Sequence, residues 1–406
     1  MLKEKKNIVR LAAFLLAVAA AVYAFTSGVL QLGHKEPGYY DVGVATEADA
    51  AGFGSLAHFL VYAEGGSSDI RLALNEAQKA FSAALLRYGR LLNADTLYEG
   101  IPNIASLNAA PGTPVQVGKT LCGILADALA RTGRGEGYSV FSGALHREWQ
   151  TLRYLDEPEA FDPLNNPEEA EQLTAIARAI NAPDAFTLEF PTPDTAVFTV
   201  SEACKQLMAE REIEAPLLDL NLLRDAYLLE LVAADLRAQG YQAGYLYSES
   251  GYSLWLERGG DIRYDLYVPD ADGAAVGAAL SVPSPAACCQ FTAFSASGAR
   301  YGYYKIEKDG QTRLRHPGID ARTGGFADLM MTVTVASANR SLADLGYAAI
   351  VLNAQTDQAA ADALLRAQPE DVLCCCTLQS APRIIRTTAP EKVAVYEGSG
   401  CTVEGI

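Results

Sequence analysis

The stretch richest in chemistry in this 406-residue chain is Arg315-His316-Pro317-Gly318-Ile319-Asp320-Ala321-Arg322-Thr323-Gly324-Gly325. Asp-x-Arg-Thr-Gly-Gly reads as a polar turn whose paired glycines permit positive φ and close approach of another group. The apolar run Met330-Met331-Thr332-Val333-Thr334-Val335-Ala336 follows and reads as a buried strand. Residues 341–352 then read as a helix whose first turn carries Asp344. A polar turn, a core strand and an acid at a helix start can together aim a carboxylate at an anionic ligand or its metal. The same pattern also describes a surface turn beside an ordinary strand–helix unit.

The elements that would hold these residues follow from periodicity. Apolar spacing predicts helices over 68–92, 121–131, 170–180, 222–239, 342–352 and 358–367. Strands are predicted over 54–62, 243–247, 252–257, 262–268, 290–295, 301–307, 372–377 and 383–388, with two short ones around Pro191 and Pro193. Lys308-Asp309-Gly310 reads as a hairpin turn, and the acidic, Pro-rich 158–169 as a surface loop. The mix predicts one large α+β domain over 51–390, with 33–50 as linker and 391–406 as a C-terminal tail.

Lys and Arg number 32 against 49 Asp and Glu, a formal net charge of −17, so no nucleic-acid partner is expected. A polyanionic ligand would need a metal ion or a helix N-terminus to bind such a surface. Lys3, Lys5, Lys6 and Arg10 mark a basic tail over 1–10, before an uncharged stretch over 11–32. As a helix that stretch spans about 33 Å, enough for a bilayer core. It predicts a transmembrane signal anchor with the body outside the cytoplasm. Cleavage after Val22-Tyr23-Ala24 is the alternative.

The eight cysteines include the runs Cys288-Cys289 and Cys374-Cys375-Cys376, lack zinc-type spacing, and read as small buried hydrophobes. His34, His58, His146 and His316 stand in separate contexts and suggest no zinc site. There is no Gly-x-Ser-x-Gly elbow, Walker loop or Gly-x-Gly-x-x-Gly motif.

An ordered set of short matches points to a family. It comprises Gly54-Ser55, Tyr98 ten residues before Asn108, Gly137-Tyr138, Gly143-Ala144-Leu145 and Trp149. Downstream come Leu218-Asp219-Leu220-Asn221, Ser250-Gly251-Tyr252, Ser297-Gly298, Tyr301, His316 through Asp320 to Gly324, and Leu342-Ala343-Asp344. In this order the chain resembles the FAD:protein FMN transferase (ApbE) family over residues 54–388. The resemblance implies FAD as ligand, Mg²⁺ on its pyrophosphate, and transfer of FMN to a Thr or Ser hydroxyl of a partner, here an extracytoplasmic or membrane flavoprotein.

Carried over, Asp344 and the Leu222 carbonyl would hold the metal. Tyr98 would pack on the flavin ring, with Tyr138 nearby and Phe53 at the strand entrance. Asp219, His316, Ile319, Asp320 and Thr323 would contact the nucleotide, as would Asp225, which stands where the family often has Lys. The chain also departs from the pattern. Ala348 replaces a ligand Thr, Tyr347 a Ser or acid, Asn221-Leu222 two glycines, and Tyr252 an Asp. Three functions follow: a flavin transferase, a non-catalytic relative that binds flavin or a partner protein, and a structural extracytoplasmic protein.

Overall fold

The computed structural model describes residues 36–257, 260–270, 273–294, 303–308 and 310–406. The predicted basic tail and apolar anchor, the Ser297-Gly298 and Tyr301 matches, and Asp309 of the predicted hairpin turn lie outside them. Among the described residues no helix is long and apolar enough to cross a membrane.

In chain order the first elements are β1 (Gly38–Asp41), α1 (Thr46–Ala50), β2 (His58–Ala63), α2 (Ser67–Leu91), α3 (Ile104–Ala109) and α4 (Gly118–Thr132). Next come α5 (Gly143–Arg153), α6 (Pro158–Phe161), α7 (Pro167–Ile180), β3 (Phe186–Thr192), β4 (Thr195–Val200) and α8 (Glu202–Glu210). A 3₁₀ turn (Asn221–Leu223) leads into α9 (Arg224–Ala238), β5 (Gly244–Tyr247), β6 (Tyr252–Trp255), β7 (Asp261–Asp270), β8 (Gly273–Pro283) and β9 (Ala287–Thr292). The chain continues through β10 (Tyr304–Lys308), β11 (Gln311–Arg315), β12 (Met330–Ser337), α10 (Leu342–Asn353) and α11 (Gln358–Arg366). It closes with β13 (Leu373–Leu378), β14 (Ala381–Thr387), β15 (Val393–Val395) and β16 (Thr402–Gly405).

Nine strands form one sheet in the order β1-β2-β5-β6-β9-β12-β13-β14-β16. Its pairs are antiparallel except β14–β16, which is parallel. β12 lies inside the sheet, with Val335 opposite Cys289 and Val333 opposite Cys376, and all its residues are buried. Helices α2, α9 and α10 pack toward one face, and β7-β8-β15 forms a second sheet toward the other. A sheet covered on both faces selects apolar residues continuously instead of in alternation. The cysteines show this directly. Cys289, Cys374 and Cys376 join the larger core on the helix side, while Cys288 and Cys375 join the smaller core with Leu266 and Leu280. All eight are free thiols, and burial pushes Cys375 up to about 12. Seven are buried as small core residues, and Cys401 is half-buried against the smaller core.

Several boundaries differ from expectation. The predicted linker contains β1 and α1, and β1 extends the main sheet. The predicted tail contains β15 and β16, each paired to a sheet. The predicted surface loop over 158–169 contains α6 and the fully buried Asp162.

Candidate functional site

Three chain segments meet where the last turn of α4 faces the starts of α9 and α10. Asp344 is the third residue of α10, and Ser341 caps that helix by accepting the Asp344 N–H on Oγ at 3.0 Å. The carboxylate therefore sits at the positive end of the helix dipole. Its Oδ1 accepts from Nη2 of Arg131 at 3.0 Å. Arg131, buried in the last turn of α4, also grips Asp127 one turn back, with Nε–Oδ2 2.9 Å and Nη2–Oδ1 3.2 Å. Tyr227 donates to the same Asp127 at 2.5 Å.

Burial alone would lower the pKa of Arg131, but its bonds to Asp127 and Asp344 outweigh that and raise it. Burial alone would raise Asp344, but Ser341 and Arg131 bring it below the usual carboxylate range. Both partners are thus held ionised.

The Leu222 carbonyl is also engaged, accepting the Tyr252 hydroxyl at 2.6 Å. Gly346 of α10 lies on that same tyrosine. A Cβ there would stand 2.7 Å from its Cε1 and 2.8 Å from its hydroxyl oxygen. Tyr252, standing where the resembling family has Asp, thus joins β6, the 3₁₀ turn and α10.

A second polar edge runs along residues 218–221. Asn108 ties α3 to it: Nδ2 donates to the Leu218 carbonyl at 2.9 Å, and Oδ1 accepts the Leu218 N–H at 3.0 Å. Asp219 accepts the Asn221 N–H at 2.9 Å, yet desolvation still holds its carboxyl above its ordinary pKa. Asn221 adopts φ 50°, a left-handed conformation that asparagine tolerates. Its Nδ2 donates to Ser139 O, Ser142 Oγ and Asp219 O, while its Oδ1 is buried and has no partner among the described residues.

Tyr98 borders this edge. It is half-buried, accepts from Asn93 Nδ2 at 3.2 Å, and has the Arg90 guanidinium 5.6 Å from its ring centre. The neighbouring Asp95 pairs with Arg147 at 2.5 Å, and the charges of both act on Asp219. Tyr138 lies beneath, buried, donating to the Leu220 carbonyl at 3.3 Å with its ring edge-on to Tyr347.

Of the remaining predicted residues Thr323 is exposed, and the others face inward. Phe53 packs under Gly89 of α2, and Ile319 is core. Asp225 accepts from Arg224 Nε at 3.0 Å and from the Ser250 hydroxyl at 2.6 Å. Asp320 is consumed by its own turn, accepting the Arg322 N–H at 2.9 Å and the Thr323 hydroxyl at 3.2 Å. His316 is buried, its Nδ1 facing the Gly318 N–H at 3.0 Å and its carbonyl accepting Trp149 Nε1–H at 3.0 Å. The turn is therefore a self-satisfied structural unit. Tyr98, Tyr138, Asp219, Asn221, Leu222 and Asp344 lie along one seam; His316, Ile319, Phe53 and Asp320 do not supply free polar groups to it.

His316 carries a pH prediction. Desolvation, then the charges of Arg153 and Arg315, lower it from 6.5 to about 4. The folded state holds it neutral, so its stabilisation is intact above pH 6.5 and is lost as the pH falls toward 4, by up to roughly 3 kcal/mol. His316→Gln is expected to lose less stability than wild type between pH 7 and 5 in urea melts. An identical loss in both would remove His316 from the account.

A cavity of about 380 Å³ opens beside α9 and α10, lined by Glu230, Arg237, Trp255, Asn339, Arg340 and Ser341 among others. Another, of about 300 Å³, lies at Asp41, Asp49, His58 and Phe81. No predicted site residue lines either.

No family profile and no curated protein matches the sequence. Solved structures do match. The ApbE protein of Thermotoga maritima aligns at TM-score 0.58 and 12% identity, over 85% of this chain and 96% of that one. The flavin transferase ApbE of Vibrio cholerae aligns at TM-score 0.53 and 16% identity, over 85% and 94%. A point mutant of the latter aligns at 0.53 and 15%, over 87% and 97%. The chain has the ApbE flavin-transferase fold. The shared architecture covers most of its length.

The ApbE-fold frame allows a direct test of Mg²⁺. Asp344 is paired with Arg131, the Leu222 carbonyl with Tyr252, and Ala348 has no side-chain oxygen. Mg²⁺ requires an octahedron of oxygen donors, several of which water can supply. Here both carried-over protein donors are already committed, and the nearest fixed charge to Asp344 is a cation. The residues present do not fit the metal. Sequence reasoning missed Arg131, which carries no motif of its own, and read Tyr252 only as the loss of an Asp, not as the partner of the Leu222 carbonyl.

Proposed function

We propose that this chain is a membrane-anchored, extracytoplasmic protein of the flavin-transferase fold that binds FAD without Mg²⁺-dependent transfer of FMN. The observation that carries the binding half is the buried Oδ1 of Asn221, without a hydrogen-bond partner among the described residues, in a turn whose N–H is held by the Asp219 carboxyl. A buried acceptor without a partner costs about 1–3 kcal/mol, which a ligand N–H would recover. Tyr98 offers an aromatic surface for a planar ring at the same edge, and Asp219 a second acceptor. The ion pair and hydrogen bond that engage Asp344 and Leu222 support the loss of transfer.

The test is an FAD titration of the full-length chain in detergent and EDTA, read by flavin fluorescence. Saturable quenching unaffected by added Mg²⁺ is expected, with affinity about tenfold weaker in Asn221→Ala or Tyr98→Ala. Absence of quenching at millimolar FAD would reject flavin binding. FMN transfer to a Thr or Ser of an extracytoplasmic flavoprotein is the second reading, favoured by the half-exposed, ionised Asp344.

A further inference from the structure

We infer that Arg131 is a built-in counter-ion that takes the place of a divalent metal in this fold, so that the carboxylates at the corner formed by α4, α9 and α10 are partly neutralised by the chain itself. Three observations converge on it. First, the guanidinium is shared: Nη2 donates to both Asp127 and Asp344, and Nε adds a second bond to Asp127. One residue thus bridges a carboxylate on its own helix and one 213 positions further along the chain. Second, Arg131 is 5% exposed and enclosed, with its carbon stem in the core and the Tyr347 ring centre 5.6 Å from its guanidinium carbon. Third, the oxygen that would complete a metal shell from the 3₁₀ turn before α9, the Leu222 carbonyl, receives the Tyr252 hydroxyl, and Gly346 closes α10 onto that ring.

The physical consequence is exclusion. A divalent ion entering beside Asp344 would face the fixed positive charge of the buried Arg131, and displacing the guanidinium would remove its three hydrogen bonds to Asp127 and Asp344. Helix geometry reinforces the arrangement, since Arg131 sits at the negative end of α4 and Asp344 at the positive end of α10. A fixed guanidinium also keeps its charge whatever the metal supply, which a bound ion cannot do.

The inference concerns the corner used in the proposed function, but it is tested with the metal alone. A failure to bind FAD would therefore leave it standing. The probe is Mn²⁺, followed by its electron-spin resonance signal and by thermal melting of the full-length chain in detergent. Wild type is expected to show no saturable Mn²⁺ binding and no shift of Tm on adding EDTA, Mn²⁺ or Mg²⁺. Arg131→Gln leaves Asp127 and Asp344 unneutralised, so it should melt lower and recover part of that loss with Mn²⁺. Arg131→Lys retains the charge and should stay silent to the metal. Saturable Mn²⁺ binding by wild type that disappears in Asp344→Asn would overturn the inference, and this arm does not depend on any Arg131 variant folding. A folded Arg131→Gln that ignores Mn²⁺ would equally overturn the claim that the guanidinium is what excludes the ion.

Discussion

Replacing Arg315 by Met is expected to destabilise the protein by about 3–5 kcal/mol, the cost of stranding a buried charge. Arg315 is 1% exposed and Asp162 fully buried, joined by Nε–Oδ2 2.6 Å and Nη2–Oδ1 3.2 Å. Its Nη1 reaches Asp328, and its guanidinium carbon lies 4.8 Å from the Phe326 ring centre. Asp162 also accepts the Tyr304 hydroxyl at 2.9 Å and the Leu164 N–H at 2.8 Å. One guanidinium thus joins the acidic segment, the β10–β11 hairpin and the turn that follows. Urea unfolding should show a lower midpoint at unchanged slope. Adding Asp162→Asn to Arg315→Met should restore part of the loss, because the stranded charge is gone. A loss below about 1 kcal/mol in the single variant would place the pair in the class of weak surface bridges and contradict its burial.

The second large effect is expected at Trp149. This side chain is fully buried in α5, with ring centres 4.2 Å from Phe326 and 6.2 Å from Tyr304. Its indole N–H donates to the His316 carbonyl at 3.0 Å. Trp149→Ala removes both packing and donor and should cost about 3–5 kcal/mol in urea melts. Trp149→Phe keeps most of the packing, so its cost should fall toward the price of one unpaired buried carbonyl, about 1–3 kcal/mol. Equal losses in the two variants would mean that the hydrogen bond, and not the packed ring, holds the turn.

These two positions show what the sequence could reveal. Trp149 and the Arg315–Gly325 turn are visible as motif residues, and β12 and α10 as an apolar strand and helix, because the information is local. The acidic composition around Asp162 reads as solvent-exposed, since nothing local discloses an arginine 153 positions away. β8 escapes notice because Gly-Ala-Ala-Val-Gly-Ala-Ala has low strand propensity; tertiary packing against β7 and β15 overrides it. β11 is too polar to read as a strand and is held by its hairpin partner β10.

The site follows the same division. Asp344, Leu222 and Asp219 can be found by position within an ordered motif set. Arg131 cannot, because it lies in an unremarkable stretch, and the hydrogen bond from Tyr252 to Leu222 is formed only when segments 30 positions apart close. The departures at Tyr347, Ala348 and Tyr252 are legible as losses from a family pattern. Only the three-dimensional arrangement discloses that the charge is supplied from elsewhere and that the carbonyl is satisfied.

The account is tested most directly by AMP release from FAD, measured on the full-length chain in detergent across a Mg²⁺ titration and in EDTA. With Arg131 on Asp344 and Tyr252 on Leu222, we expect release no faster than in buffer at every Mg²⁺ concentration, alongside saturable flavin quenching. Mg²⁺-dependent AMP release that vanishes in Asp344→Ala would contradict it, and would mean that the carboxylate leaves Arg131 to hold a metal during turnover.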